Sequence, residues 1–192
     1  MSEFKYVPAT VTEHEWLAPA ADSFEDAHQY WHDAADAYHD PPDFRRKIDA
    51  LIQAARNVTF RLQAAKGDGP ESFDWYEGDH EDSWRTFMKS VPEMVWLHNA
   101  RTEITKRKGL SRTSFAVVSL VEGYLEPTKT LLKLPADMAT GELVERAIEN
   151  IPREYRQHQA VEVVRRWEPT DLPGQELLGV LRYCLRILDG LL

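Results

Sequence analysis

The sequence predicts a mainly helical protein, α+β overall. An antiparallel helical bundle is expected to carry a small antiparallel β elaboration between its third long helix and its C-terminal helix. Between residues 22 and 110, apolar residues recur at the three- and four-residue spacing of helices. Beyond residue 112, short runs rich in β-branched residues are bounded by Pro and Gly. We therefore expect an irregular arm at 1–21 and a single domain at 22–192, with the bundle at 22–110 and 171–192 and an α+β insertion at 113–169.

Two long helices are expected first, packed as an antiparallel hairpin because the break between them is short. In "DSFEDAHQYWHDAADAYHD", Ser23 and Asp26 have the spacing of a capping box, and Pro41–Pro42 end the helix. The second helix, "DFRRKIDALIQAARNVTFRLQAAKG", ends near Gly67. Its wide apolar stripe consists of Ile48, Leu51, Ile52, Ala55, Val58, Thr59 and Leu62.

A third long helix is expected after an acidic-aromatic loop. The stretch "ESFDWYEGDHED" (71–82) has six carboxylates and no Lys or Arg, which favours a solvated loop; a docking surface for a basic protein partner is the alternative. A short helix through Trp84 and Phe87 follows. Ser90 and Glu93 then form a capping box that begins the third long helix, with Pro92 in its first turn.

The C-terminal part combines strands with two helices. The runs "TSFAVVSLVEGY", "TKTLLKL" and "AVEVVRRWEP" are typical of strands, and "TGELVERAIENI" has the spacing of a helix. The final stretch, "GQELLGVLRYCLRILDGLL", predicts a helix with a wide apolar face, which must be covered by the bundle or by another subunit. That face consists of Leu177, Leu181, Cys184, Leu188 and Leu191, with Leu178, Leu185 and Leu192 beside them.

Composition excludes several classes of protein. The chain has 23 basic and 32 acidic residues, a net charge of −9, which argues against a general binder of the nucleic-acid backbone but not against a local basic site. A single cysteine, Cys184, excludes a disulfide framework and a Cys-based metal cage. The first residues do not have the pattern of a signal peptide, and no apolar run is long enough for a membrane span. We expect a soluble cytoplasmic protein with no cofactor.

One arginine lies where helical spacing predicts an apolar stripe. In "WLHNARTEITKRKG", Arg101 lies between Leu97 and Ile104 on the helix face that also carries Met94. An unpaired charge cannot be buried there without a large desolvation cost. A buried carboxylate partner, snorkelling from the edge of the stripe, or a polar cleft that receives a ligand would each accommodate the charge.

The stretches "ARNVTFRLQ", "FDWYE" and "WLHNARTEITKRKG" resemble bacterial members of the HEPN superfamily. The resemblance covers about 22–110 and extends loosely to "VEVVRRWEPTDLPGQELL". It implies a helical bundle that dimerises. Many members are metal-independent ribonucleases of toxin–antitoxin, CRISPR-linked and phage-defence systems, in which motifs from two protomers build the site. Their motif is an arginine, often followed by Asn, with a histidine four to six residues further on.

The motif is only partly present here. Arg101 matches the arginine, Thr102 stands where Asn is usual, and Lys106 takes the place of the histidine. Lys106 is a poor general base because the reference pKa of lysine is about 10.4. The phosphate-binding set is expected to be Arg101, Lys106, Arg107, Lys108 and Arg112, although cations in a last helical turn can also simply complement the helix dipole.

Other histidines offer further candidates. His98, one turn before Arg101, is an alternative proton-transfer group, although a core or interface role suits it better. His28, His32 and His39 lie along one flank of the first helix and are weak candidates for metal ligands; a solvated flank is the favoured interpretation. No Gly-rich phosphate loop or G-x-S-x-G elbow occurs in the sequence.

These observations lead to one expected function and two alternatives. The leading expectation is a homodimeric, HEPN-like bacterial module that contacts RNA or nucleotide phosphate, with weak or no ribonuclease activity, in a stress, toxin–antitoxin or phage-defence setting. The first alternative is a non-enzymatic protein–protein interaction module that uses the 71–82 loop or the C-terminal helix. The second is an active metal-independent ribonuclease that uses Arg101 with His98 or Lys106.

Overall fold

The architecture was obtained from a computed structural model that describes residues 15–65, 83–106, 110, 112–121, 128–134, 138–149 and 160–192. For residues 112–121, 128–134, 147 and 160–163, the description is limited to the backbone. A short 3₁₀ turn, Glu15–Leu17, precedes the first helix. The other elements are α1 (Ala18–Asp36), α2 (Pro41–Ala64), α3 (Trp84–Ser90), α4 (Pro92–Lys106), β1 (Arg112–Val121), β2 (Thr128–Leu134), α5 (Thr140–Glu149), β3 (Ala160–Pro169) and α6 (Leu177–Asp189). The protein is mainly helical, as the sequence predicts.

The α1–α2 hairpin forms as expected, but its helix ends differ from the prediction. α1 begins at Ala18, so the irregular arm does not extend to residue 21, and residues 1–14 of that arm lie outside the described residues. Ser23 is not a cap, because its hydroxyl donates to the Pro19 carbonyl at 3.2 Å inside the helix. Pro41 begins α2 instead of ending α1, since a first helical turn needs no N–H partner. The Asp40 carboxylate caps α2 by accepting from the Asp43 N–H at 3.2 Å.

The start of α4 also differs from the predicted capping box. Ser90 is the last residue of α3, and its hydroxyl donates to the Phe87 carbonyl at 2.7 Å. It therefore does not cap α4, which begins at Pro92 after the single connecting residue Val91. α3 itself is capped by Ser83, whose Oγ accepts from the Thr86 N–H at 3.2 Å.

The apolar face of α6 is covered by the chain's own bundle. Helices α1, α2 and α4 pack against it, and every residue of the predicted face is buried. Trp31 of α1 reaches across this contact and donates its Nε1–H to the Leu178 carbonyl at 3.0 Å. Burial raises the pKa of the Cys184 thiol to about 12, which makes it a core side chain and a poor nucleophile. The sequence allowed this face to be covered either by the bundle or by another subunit, and the bundle covers it.

The three predicted strands form one antiparallel sheet. Its order is β2-β1-β3, with Val118 of β1 opposite Thr130 of β2 and Val163 of β3. Helix α5 packs against β3 and buries Leu143. Among the described helices, none is both long enough and apolar enough to cross a membrane.

A cluster around Trp167 joins the sheet to the bundle. The Trp167 indole of β3 stacks on Phe44 of α2 at 4.8 Å between ring centroids, and its Nε1–H donates to the Tyr38 carbonyl at 3.2 Å. Arg165, with 2% of its surface exposed, places its guanidinium 4.0 Å from the Trp167 ring centroid. The Tyr38 hydroxyl lies 3.0 Å from the Arg165 carbonyl and 3.2 Å from the carboxylate of Glu176, which caps α6. One phenol thus links the turn between α1 and α2 to β3 and to the start of α6.

The substitution Tyr38→Phe tests this link. Burial and the Glu176 carboxylate raise the pKa of the Tyr38 hydroxyl, so it remains a donor throughout the accessible pH range. Its removal takes away a donor that lies beside the Arg165 carbonyl and the Glu176 carboxylate, and we expect the free energy of unfolding to fall by about 1 kcal/mol. Urea denaturation followed by circular dichroism measures this change.

The matched control is Tyr183→Phe, which removes a hydroxyl from a ring on α6 that is 45% exposed. This substitution should change the free energy of unfolding by less than about 0.5 kcal/mol. Equal effects of the two substitutions would contradict a linking role for Tyr38.

Candidate functional site

Arg101 lies half-buried at the edge of the apolar stripe of α4. Met94 and Leu97 of that stripe are buried, while Ile104 is half-buried. The guanidinium carbon of Arg101 lies 4.7 Å from the ring centroid of Phe60 on α2. Within the described part of the chain, this guanidinium makes no hydrogen bond and no ion pair. A cation–π contact at the edge of the stripe therefore takes the place of a buried carboxylate partner.

A cleft of about 280 Å³ opens beside this contact, between α2, α3 and α4. Three cations line it: Arg56 of α2, and Arg85 and Lys89 of α3. The described residues that line the cleft include no carboxylate. The remaining lining residues are Thr59, Gln63, Met88, Met94, Val95 and His98. We name this feature the basic cleft.

Arg56 is buried in the basic cleft and is held there by two side-chain contacts. Its Nη1 donates to the Thr59 hydroxyl at 2.9 Å, and its Nη2 contacts His98 Nδ1 at 3.0 Å. Its guanidinium carbon also lies 5.0 Å from the centroid of Phe60. Arg56 thus belongs both to the cleft and to the Phe60 contact.

The contact with Arg56 determines the tautomer of His98. A guanidinium can only donate, so Nδ1 of His98 accepts and the ring proton of the neutral imidazole resides on Nε2. Burial, and then the charges of Arg56 and Arg101, lower the pKa of His98 below its ordinary value. His98 is therefore neutral at pH 7 and offers an N–H donor at Nε2.

The other predicted phosphate-binding residues are not brought to this cleft. Lys106 is exposed at the end of α4, about 7 Å along the helix axis from Arg101. Arg107 and Lys108 lie outside the described residues, and Arg112 begins β1 without a description of its side chain. Lys106 at this position also complements the helix dipole.

The structure does not support the metal candidates on α1. The rings of His28 and His32 contact edge to face at 4.8 Å and line an open cleft of about 630 Å³ with Arg182 and Arg186 of α6. His39 lies beyond the end of α1, where its carbonyl accepts from the Thr140 hydroxyl at 2.9 Å. No group of three potential metal ligands occurs in the described part of the chain. The 71–82 loop lies outside the described residues.

Sequence reasoning did not identify four residues of the site: Arg56, Phe60, Arg85 and Lys89. Helical spacing places Arg56 and Phe60 one turn apart on α2, and Arg85 and Lys89 one turn apart on α3. That spacing was a usable signal. It could not show that Arg56, Arg85 and Lys89 line one cleft, because that depends on where the tertiary fold places α2 and α3.

The fold and the cleft define a mainly helical protein with a small antiparallel sheet and a local basic site. A family model described as bacteriophage lambda protein ea47 matches residues 15–192, and the chain belongs to this family. Protein ea47 of Escherichia phage lambda is 30% identical over 149 residues, which covers 76% of this chain and 35% of that protein. The chain therefore spans about a third of the length of this relative. No solved structure matches the chain.

The identification as a HEPN member is wrong, because the family that matches nearly the whole chain is a different one. The arginine-centred motif is short, and an arginine at the edge of an apolar stripe also arises where it packs on an aromatic ring, as Arg101 does on Phe60. The paired two-protomer motif and the link to toxin–antitoxin and CRISPR systems rested on that resemblance and lose its support. The homodimer stays a prediction.

The substitution His98→Gln tests the lowered pKa of His98. In the unfolded chain His98 takes up a proton below about pH 6.5, whereas the folded chain resists protonation beside two guanidinium groups. The wild-type protein should therefore lose stability as the pH falls from 7 to 5. The variant should lose less over the same range.

Urea denaturation at several pH values measures both slopes. The control Gln63→Asn alters the same cleft without removing a titrating group and should retain the wild-type slope. A His98→Gln variant with the wild-type slope would contradict the assignment.

Proposed function

We propose that the chain binds a phosphate-bearing ligand in the basic cleft, as a module that contacts RNA or nucleotide phosphate without cleaving RNA. The observation that carries this proposal is the concentration of three cations in a cleft whose described lining residues include no carboxylate. Arg85 and Lys89 are exposed on α3 and, as far as the structure describes their surroundings, form no ion pair. Together with Arg56, they place three cations around one cleft.

This local charge matters because the chain as a whole is acidic. A net charge of −9 repels polyanions from most of the surface, so an anion is held where cations are concentrated. Arg56 is largely desolvated and its position is set by Thr59 and His98, which reduces the cost of ordering it on binding. A guanidinium can hold a phosphate with two parallel hydrogen bonds, and the Nε2–H of His98 adds a neutral donor.

The size of the cleft favours a small ligand or a single unit of a strand. Its volume of about 280 Å³ is close to the lower end of ligand pockets. Met88, Met94 and Val95 supply an apolar wall beside the cations. A ligand with an anionic group and an apolar or aromatic body therefore fits better than a bare ion or a duplex.

The geometry favours binding over catalysis. The Nδ1 lone pair of His98 accepts from Arg56, and its Nε2 carries the ring proton, so neither nitrogen is ready to accept a proton from a 2′-hydroxyl. Lys106, the other candidate base, is exposed at the far end of α4. An active ribonuclease that uses Arg101 with either residue is accordingly disfavoured.

The alternative of a protein–protein interaction module has less support in the described part of the chain. The C-terminal helix, one of its two proposed contact surfaces, buries its apolar face against the bundle. The cytoplasmic location and the bacterial stress or defence setting stay predictions.

The double substitution Arg85→Ala/Lys89→Ala tests the proposal. It removes two exposed cations from the cleft, so the fold should be retained while the affinity for a fluorescently labelled single-stranded oligoribonucleotide falls about tenfold or more at low salt. Fluorescence polarisation measures the dissociation constant. The same experiment should show a loss of affinity as salt is added.

Arg45→Ala/Arg46→Ala is the matched control. Both arginines are exposed on the first turns of α2, about 15 Å from Arg56 along the helix axis, and their removal changes the net charge equally. This control should bind within about twofold of wild type. Equal weakening by both double variants, or no binding by the wild type at low salt, would refute the proposal. Metal-independent cleavage of the labelled RNA that is lost in Arg101→Ala would overturn the non-catalytic assignment.

A further inference from the structure

We infer that a nucleobase stacks on the surface formed by Phe60 and Arg101, so that the ligand of the basic cleft is a nucleoside phosphate. We name this surface the Phe60–Arg101 shelf. The inference rests on the proposed function, because it assumes that the phosphate of the same ligand occupies the basic cleft.

The shelf is continuous with the cleft. Phe60 lies on α2 one turn after Arg56, and the guanidinium carbon of Arg56 lies 5.0 Å from its ring centroid. The guanidinium carbon of Arg101, from α4, lies 4.7 Å from the same centroid. Arg56 is thus shared by the shelf and the cleft, and a single molecule can reach both.

Phe60 is not placed as a core residue. Its side chain is 38% exposed, whereas Val58, Thr59 and Leu62 around it on α2 are buried. A large aromatic ring at the surface, with two guanidinium groups in cation–π contact with it, combines an exposed apolar area with a local positive potential. This combination recurs where proteins bind unpaired bases without strong sequence preference.

Arg101 supplies the second half of the shelf. Its guanidinium is planar and half-buried, and it makes no hydrogen bond or ion pair with any described residue. Its N–H groups are therefore available to the edge of a base or to a phosphate oxygen. Arginine planes and aromatic rings are the two kinds of side chain on which unpaired bases stack.

The Phe60–Arg101 shelf and the basic cleft match the two parts of a nucleotide, its base and its phosphate. A nucleotide joins a planar base to a phosphate through one sugar, so both groups bind close together. Inorganic phosphate or pyrophosphate would use the basic cleft and leave the shelf empty. A free nucleoside monophosphate and one unit of a single strand share the chemistry that the site recognises.

The substitution Phe60→Leu tests the inference by isothermal titration calorimetry with adenosine monophosphate and with inorganic pyrophosphate. Leucine keeps an apolar side chain but removes the ring. The affinity for adenosine monophosphate should fall about tenfold, while the affinity for pyrophosphate should stay within about twofold of wild type. Phe60→Tyr retains a ring and should bind adenosine monophosphate more tightly than Phe60→Leu does.

Tyr183→Leu is the matched control, because it removes an exposed ring from α6, away from the shelf. It should leave both affinities unchanged. Thermal unfolding of each variant, followed by circular dichroism, verifies that the fold is retained.

The outcomes separate the two proposals. Pyrophosphate binding with no gain for adenosine monophosphate in the wild type would overturn the inference while the phosphate site stands. Equal weakening of both ligands by Phe60→Leu would also overturn it, since Phe60 would then act by positioning Arg56. Binding of neither ligand would overturn the proposed function as well. With Phe60→Leu selective as expected, a tighter affinity for a single-stranded oligoribonucleotide than for adenosine monophosphate identifies a strand as the source, and equal affinities identify the free nucleotide.

Discussion

Burial of the apolar face of α6 is the constraint on which the rest of the structure depends. This face runs along the whole helix and includes Leu181, Cys184 and Leu188, none of which could remain in water without a large hydrophobic cost. Helices α1, α2 and α4 each pack against it. Because these three helices must reach the same surface, their relative positions are determined together. The sheet then attaches at the Trp167 cluster, at the end of the bundle where α1 gives way to α2.

The basic cleft is a consequence of this arrangement. α4 contacts α6 on one side, where the Cys184 thiol lies 3.4 Å from the Glu93 carbonyl, and contacts α2 on another, where Arg56 meets His98. α3 is joined to α4 by one residue, and its Arg85 and Lys89 line the cleft with residues of α2 and α4. These three helices pack through their apolar faces. Their polar side chains thus enclose a space in which cations are concentrated.

The site therefore concentrates positive charge within an acidic protein, and its cations differ in how deeply they are buried. The buried Arg56 guanidinium contacts a neutral histidine, and two exposed cations add positive charge without the cost of burying them. The Arg101 guanidinium is accommodated beside an apolar stripe because it packs on the Phe60 ring. The same features that make the cleft suitable for an anion make it unsuitable for proton abstraction, since the imidazole lone pair is already occupied.

The sequence by itself determined the elements of this protein and the faces that they bury. Runs rich in β-branched residues and bounded by Pro and Gly identified the three strands. Periodicity identified the α2 stripe and the buried face of α6, because local spacing reflects which side of a helix avoids water. It placed some helix ends wrongly, since Ser23 and Ser90 have hydroxyls that bond within a helix instead of capping one. The sequence singled out Arg101 and His98 but led to the wrong family. The motif is short and contains only residues that lie close together along one helix, so it carries no information about contacts between helices. Only the tertiary structure decided that Arg56 contacts His98, that Phe60 contacts Arg101, and that Arg85 and Lys89 line the same cleft as His98, since these placements depend on packing between helices that no local pattern contains.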